Sequence, residues 1–206
     1  MRTWDLRLAE FVSRILHPLW MPFYAMLLLW FVEPMVNIAI PANYLPRLSL
    51  LVFLYTALLP LIFALVLRKL GLIKSLEMET AKERRFPYLF TAVCYFLCYF
   101  QMAGNHALGL YALVLLGATV SILALLLVNL RVKVSAHLVG VGGTAGVFAG
   151  LQWSLGLNYS ILVAALVLVA GLLASARLRL QAHSEAEVYV GFILGFCTEF
   201  LLLMQL

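Results

Sequence analysis

Three polar residues near the C-terminal end have the types and the spacing that phosphate chemistry needs. Arg177, His183 and Glu187 follow the pattern Arg-x5-His-x3-Glu, at the boundary between two apolar stretches. A guanidinium can hold phosphate oxygens through charge-assisted hydrogen bonds. A histidine can attack phosphorus or transfer protons near neutral pH, and a carboxylate can orient the imidazole. The pattern predicts a phosphate site, although His183 by itself also suits an ordinary loop histidine.

Two further polar clusters each stand directly before an apolar stretch. Lys82, Arg84 and Arg85 form the first cluster, and Ser135 and His137 form the second. The basic cluster also suits two simpler roles, as a signal for membrane orientation or as a patch that binds anionic lipids. The chemical interpretation therefore depends on whether the fold brings the three clusters together.

The composition predicts which elements must position these clusters. Of the 206 residues, 65% are hydrophobic and 11% are charged, and the mean hydropathy is +1.05. These values are typical of integral membrane proteins. The continuous apolar runs predict an all-α integral membrane protein, a bundle of about seven transmembrane helices with short loops, with six as the alternative count. The predicted spans are roughly 15–34, 47–67, 88–104, 107–130, 137–154, 159–176 and 188–205.

The distribution of basic residues predicts how the bundle is oriented. With seven spans, every lysine and arginine except Arg47 falls on one side of the membrane. By the positive-inside rule we expect the N-terminus and the motif-bearing loops in the cytoplasm and the C-terminus outside, in the inner membrane of a cell. We expect residues 1–206 to form a single transmembrane helical domain, in which residues 1–14 are an interfacial helix or a plain tail.

The predicted topology also brings the polar clusters to one face. Two spans separate each cluster from the next, so all three return to the same membrane surface. They can therefore converge on a single site.

In the order of these clusters the chain resembles the type-2 phosphatidic acid phosphatases, also called lipid phosphate phosphatases. That family carries Lys-x6-Arg-Pro, then Pro-Ser-Gly-His, then Ser-Arg-x5-His-x3-Asp. The third motif has the strongest match, at Arg177, His183 and Glu187. Ala176 stands where the family has serine, although Ser175 is adjacent.

The other two motifs are matched in part. In the second, Ser135 and His137 are kept, whereas the proline and glycine are replaced. In the first, Arg85 is separated from Pro87 by one residue, and Lys82 is the nearest lysine. The resemblance covers residues 82–191 and implies a phosphatase-like core of about 82–206.

The resemblance implies a role for each matched residue. His183 would be the nucleophile that forms a phosphohistidine, and Glu187 would orient it. His137 would protonate the leaving lipid alkoxide and later help to activate water. The implied phosphate-binding side chains are Arg177, Arg85, Arg84, Lys82 and Ser135. No metal and no other cofactor is implied.

Small residues, a carboxylate, the cysteines and one further histidine lead to additional predictions. The repeats Gly142-x3-Gly146-x3-Gly150 and Gly191-x3-Gly195 predict close helix packing. Glu199 is expected towards the non-cytoplasmic end, far from the clusters, where it leaves a transport role open. The three cysteines are expected to be buried structural thiols, and His17 to mark a helix start.

Two functions follow. The first is a membrane-embedded lipid phosphate phosphatase, a metal-independent hydrolase of a phosphomonoester or pyrophosphate of a lipid. Its partners would be membrane lipids and a phosphorylated lipid substrate, with no nucleic acid and an open oligomeric state. The alternative is a catalytically inactive phosphatase-like protein that serves as an anionic-lipid binder, a small transporter or a complex subunit. Glu187 in place of aspartate favours the alternative, and the histidine pair favours the enzyme.

Overall fold

The computed structural model of the protein describes residues 2–32, 40–78 and 80–206, with Arg2 and Thr3 in backbone only. The regular elements of these residues are helices. They are α1 (Arg2–Ile15), α2 (Met21–Val32), α3 (Leu45–Phe53), α4 (Leu59–Lys69), α5 (Ala81–Ala103), α6 (Gly109–Val128), α7 (Ala136–Leu155), α8 (Ser160–Arg179) and α9 (Glu185–Leu203). A 3-10 turn at Pro18–Trp20 joins α1 to α2, and a π-helical segment at Leu54–Leu58 joins α3 to α4.

Seven helical stretches within the described residues are long and apolar enough to cross a membrane, which confirms the all-α, seven-helix bundle. The stretches are Trp4–Val32, Ala42–Lys69, Ala81–Ala103, His106–Val128, Ala136–Leu155, Ser160–Arg179 and Glu185–Leu203. The end of the predicted first span, residues 33 and 34, lies outside the described residues.

Capping boxes set the starts of α5 and α9. Thr80 accepts a hydrogen bond from the backbone N–H of Glu83, whose carboxylate accepts one from the backbone N–H of Thr80. Ser184 and Glu187 make the same pair of bonds at α9. Such reciprocal bonds satisfy donors that a helix start leaves free. As a result, α5 begins seven residues before the predicted span (Ala81 rather than residue 88), and the basic cluster lies in its first turns.

Helix α7 is the centre of the bundle. Its most apolar stretch is 67% buried, whereas that of α8 is 17% buried, so α8 lies at the periphery. The predicted glycine repeats both lie in the contact between α7 and α9, where each packs against the backbone of the other helix. A Cβ atom on Gly142 would lie 3.0 Å from the Cα of Phe192, and one on Gly191 would lie 2.7 Å from the carbonyl oxygen of Ser135. The two backbones are in contact, which confirms the predicted close packing.

Helix α1 is amphipathic and packs along α8. Trp4, Leu8 and Phe11 recur at helical spacing and are exposed. Asp5 pairs with Arg179 of α8 at 3.2 Å. An exposed pair of this kind adds little stability, but it shows that α1 begins beside the last turn of α8.

The cysteines divide into two groups. Cys94 and Cys98 are buried and free, as expected, whereas Cys197 is exposed. Expecting all three to be buried was wrong for Cys197, because its side of α9 faces away from the bundle.

Candidate active site

A cavity of about 1140 Å³ opens at the end of the bundle where α5, α7 and α9 begin. We call this the motif end. Side chains from all three polar clusters line the cavity there, as the topology predicted. The cavity wall at this end includes Arg84, Lys133, His137, Arg177 and His183, together with His17 from the turn before α2.

His183 and Glu187 form a close pair within the cavity wall. Nδ1 of His183 lies 2.8 Å from Oε2 of Glu187, and the His183 side chain is only 3% exposed. A carboxylate can only accept, so Nδ1 carries the hydrogen and Nε2 keeps its lone pair. The same Oε2 also accepts the backbone N–H of Ser184 in the capping box. The side chain of Glu187, which is longer than the aspartate of the motif that the sequence resembles, therefore both reaches the imidazole and caps the helix.

Three cations surround His183. The pKa of its imidazole is lowered to about 4, chiefly by burial and in addition by the positive charges of Arg84, Arg177 and Lys133, while the hydrogen bond to Glu187 acts in the opposite direction. At neutral pH the ring is therefore uncharged. An uncharged imidazole with a free lone pair is the form that can attack an electrophile.

Hydrogen bonds to backbone carbonyls hold two of these cations in position. Arg84 donates from Nε to Met78 at 2.7 Å and from Nη1 to Val134 at 3.2 Å. Lys133 donates from Nζ to the carbonyl oxygen of Ala182 at 2.9 Å. These bonds link the start of α5 to the start of α7, and the start of α7 to the loop before α9. Both side chains keep further N–H donors for a ligand.

Arg177 is the cation with the most unused capacity. It lies in the last turn of α8, and its Nε is buried without a hydrogen-bond partner among the described residues. A buried guanidinium donor without a partner is costly unless a ligand or water satisfies it. Arg177 is therefore the side chain best placed to receive an anion.

His137 is oriented by α1. Its Nε2 lies 3.2 Å from the carbonyl oxygen of Ser13. That oxygen can only accept, so Nε2 carries a hydrogen and Nδ1 is the nitrogen that can gain or lose the second proton. The ring packs edge-to-face against His17, with centroids 5.3 Å apart. His17 in turn accepts the backbone N–H of Leu19 at Nδ1, at 3.4 Å. It therefore marks a helix start, as expected, and also lines the cavity.

Ser135 stands at the N-cap of α7. It is fully buried, and its hydroxyl has no partner among the described residues. Its backbone N–H donates to the carbonyl oxygen of Glu187 at 3.2 Å, which links the second cluster to the third. The hydroxyl is not part of the cavity wall, although the adjacent Ala136 is.

Two more predicted phosphate ligands, besides Ser135, lie outside the cavity wall. Lys82 and Arg85 are exposed and are not part of the cavity wall. The reason is helical geometry: the cluster lies within α5, and successive helical residues point about 100° apart, so Arg84 and Arg85 cannot face the same way. Ser175 does not replace the motif serine either, because it is exposed and its hydroxyl donates to Gly171 of its own helix.

Glu199 requires a correction. The sequence predicted it to be remote from the clusters, but it lines the same cavity as His183. The cavity runs from the motif end into the interior of the bundle, so a residue about three turns further along α9 is still in its wall.

Sequence reasoning missed several residues of the cavity wall, among them Lys133, His17 and the α1 residues Glu10 and Ser13. Lys133 stands two residues before Ser135, which is a signal that spacing could have used. The α1 residues carry no such signal, because only packing brings α1 to the cavity.

Comparison with known proteins found no match to the chain among family models, curated proteins or solved structures.

Proposed function

We propose that the protein is a membrane-embedded lipid phosphate phosphatase that works through a phosphohistidine on His183. One observation carries the proposal: a buried imidazole bonded to a carboxylate lies in a cavity wall beside three cations and together with two further imidazoles. The cations suit a phosphate group, and the bundle suits a substrate with a lipid anchor. We further propose that the motif end faces the cytoplasm in the inner membrane, with the C-terminus outside.

The reaction would proceed in two steps. In the first, the anionic phosphate binds and His137 takes up a proton at Nδ1; the Nε2 lone pair of His183 attacks phosphorus, the bond from phosphorus to the lipid oxygen breaks, and His137 gives that proton to the leaving oxygen. In the second, His137 takes a proton from water, whose oxygen attacks the phosphohistidine. Phosphate leaves and His183 is restored. Glu187 would stabilise the positive charge on the His183 ring, and Arg84, Arg177 and Lys133 would hold the phosphoryl oxygens.

A specific observation favours a second candidate. The capping box accounts for Glu187 as a structural residue without any reaction. A non-hydrolytic protein that binds anionic lipid in the same cavity is therefore the alternative, since the cations would bind phosphate in either case.

Phosphate release from the detergent-solubilised protein tests the proposal. On a panel of lipid monophosphates and pyrophosphates, we expect wild-type turnover, and a loss of about 10⁴-fold or more for His183→Ala, because the nucleophile is gone. His106→Ala is the matched control, since His106 is exposed in the turn before α6 and should leave turnover unchanged. Wild type without turnover, or His183→Ala with wild-type turnover, would refute the enzyme and leave the lipid-binding candidate.

A trapping experiment tests the intermediate itself. We expect a rapid alkaline quench to retain labelled phosphate on the wild-type protein, because phosphohistidine survives base and is lost in acid. The label should accumulate when His137→Gln removes the group that activates water, with turnover reduced by about 10²–10⁴-fold. Turnover without any label on the protein would argue for direct attack by water.

A further inference from the structure

The inner end of the cavity, which lies inside the bundle away from the motif end, contains a polar side chain that the proposed reaction does not use. Glu199 is 3% exposed, and its Oε2 is buried with no hydrogen-bond partner among the described residues. From Glu187 to Glu199 the helix α9 advances about 18 Å, at about 1.5 Å per residue. The hydrocarbon core is about 30 Å thick, so this carboxyl group lies near the middle of the bundle.

The surrounding helices make room for this carboxyl group. A Cβ atom on Gly117 of α6 would lie 2.6 Å from the Cδ atom of Glu199, so only glycine leaves that space free. On the α7 side, a Cβ atom on Gly143 would lie 3.4 Å from the Cγ atom. Both glycines stand beside the side chain that lines the cavity. The fold therefore accommodates the Glu199 side chain, because the neighbouring residues on α6 and α7 are glycines.

A second unsatisfied group lies on the same wall. Ser121 of α6 is 4% exposed, and its hydroxyl also has no partner among the described residues. It is one helical turn from Gly117, on the same face of α6 and nearer the motif end. The hydroxyls of Thr91 and Thr144, by contrast, donate to carbonyls of their own helices. Two unsatisfied groups at the inner end of the cavity point to a ligand that supplies hydrogen bonds there.

We propose that the inner end of the cavity binds an uncharged oxygen group, a hydroxyl, carried in the distal half of the chain of the phosphorylated lipid. The inference rests on the proposed function, because it requires the lipid phosphate to be bound at the motif end. A lipid chain that starts there reaches Glu199 with its distal half. An uncharged group fits better than a cation, because carrying a charge to this depth is expensive. A protonated carboxyl group and a serine hydroxyl can both donate to, and accept from, a hydroxyl.

Binding of two lysophosphatidates that share a headgroup tests the proposal. Ricinoleoyl lysophosphatidate carries a hydroxyl in its chain, and oleoyl lysophosphatidate does not. Affinities are measured by native mass spectrometry in detergent, with His183→Ala as the background so that neither lipid is consumed. We expect the hydroxylated lipid to bind about two- to tenfold more tightly, as one net hydrogen bond would give.

Three variants decide what causes this preference. Glu199→Leu should abolish it, and Glu199→Gln should retain it, because an amide still donates and accepts without a charge. Gly117→Ala should weaken it by displacing the carboxyl group. Thr198→Val is the matched control, since Thr198 is next to Glu199 but outside the cavity wall, and its hydroxyl donates to Leu194. It should leave the preference unchanged.

Each other outcome overturns the proposal. Equal affinity for the two lipids would refute the inner site and leave the phosphatase proposal intact. Loss of the preference in Glu199→Gln as well as in Glu199→Leu would show that an uncharged donor and acceptor at this position is not sufficient, which would overturn the proposed mode of binding. Binding of neither lipid would refute the inner site together with the lipid-binding premise of the proposed function.

Discussion

The contact between α7 and α9 makes the most sharply defined prediction, because it joins packing to the site. Gly191 lies one turn after Glu187 on α9 and faces the start of α7. A Cβ atom there would lie 2.7 Å from the carbonyl oxygen of Ser135 and 3.2 Å from the Cβ atom of Leu138. The first distance is about 0.7 Å shorter than the 3.4 Å at which ordinary contact begins. Gly191→Ala must therefore push the two helices apart.

The expected size follows from this overlap. The clashing atom is a backbone oxygen that also accepts the N–H groups of Leu138 and Val139, so it cannot rotate away as a side chain could. Overpacking of this kind lowers the free energy of unfolding by about 1–3 kcal/mol. A shift of about 0.7 Å also separates His137 from His183. Since a displacement of about 1 Å can lower a rate about a hundredfold, we expect turnover to fall about tenfold or more.

Thermal unfolding in detergent and phosphate release measure the two effects. Gly171→Ala is the control, because a Cβ atom on Gly171 of the peripheral α8 meets nothing within 4 Å. It should leave turnover unchanged and stability equal or slightly higher, since alanine favours a helix over glycine by up to about 1 kcal/mol. Equal stability and equal turnover for Gly191→Ala and Gly171→Ala would refute the reasoning, because α7 and α9 would then not be in backbone contact.

Three further predictions concern the pH dependence, the basic cluster and the orientation. The pKa of His183 is lowered to about 4, against about 6.5 in an unfolded chain, so the unfolded state binds the extra proton first. The free energy of unfolding should therefore fall as the pH is lowered from about 6.5 to about 4, and less steeply in His183→Gln; identical slopes in denaturant titrations would contradict this. Arg84→Ala should lower turnover about 10²–10³-fold, as loss of a charge-stabilising donor does, whereas Arg85→Ala should change it less than about twofold; equal losses in phosphate release would show that both bind phosphate. A reporter fused to the C-terminus should behave as non-cytoplasmic, and a cytoplasmic signal would reverse the proposed orientation.

The spans were predictable because the signal for each one is local. About 20 consecutive apolar residues can satisfy their backbone in lipid only as a helix, and this holds whatever the neighbouring helices are. The boundaries were less predictable. Thr80 with Glu83 extends α5 back over polar residues that hydropathy excludes, so the basic cluster became helical and Arg84 was separated from Arg85.

Convergence of the clusters was predictable in part. Counting the spans places the starts of α5, α7 and α9 on one face of the membrane, because this depends only on the order of the helices along the chain. The count does not determine which side chains face the inside of the bundle. The bonds of Arg84 to Val134 and of Lys133 to Ala182 join segments about 50 residues apart, and no local pattern encodes them.

By itself, the sequence determined the class, the helical architecture and the His183–Glu187 pair, because length, hydropathy and an i, i+4 spacing act within one segment. Only the tertiary structure decided that α1 orients His137, that His17 joins the cavity and that Glu199 shares it. The physical reason is that these relations depend on how helices pack. The glycine contacts of α7 with α9 set that packing, and through it the depth and the walls of the cavity.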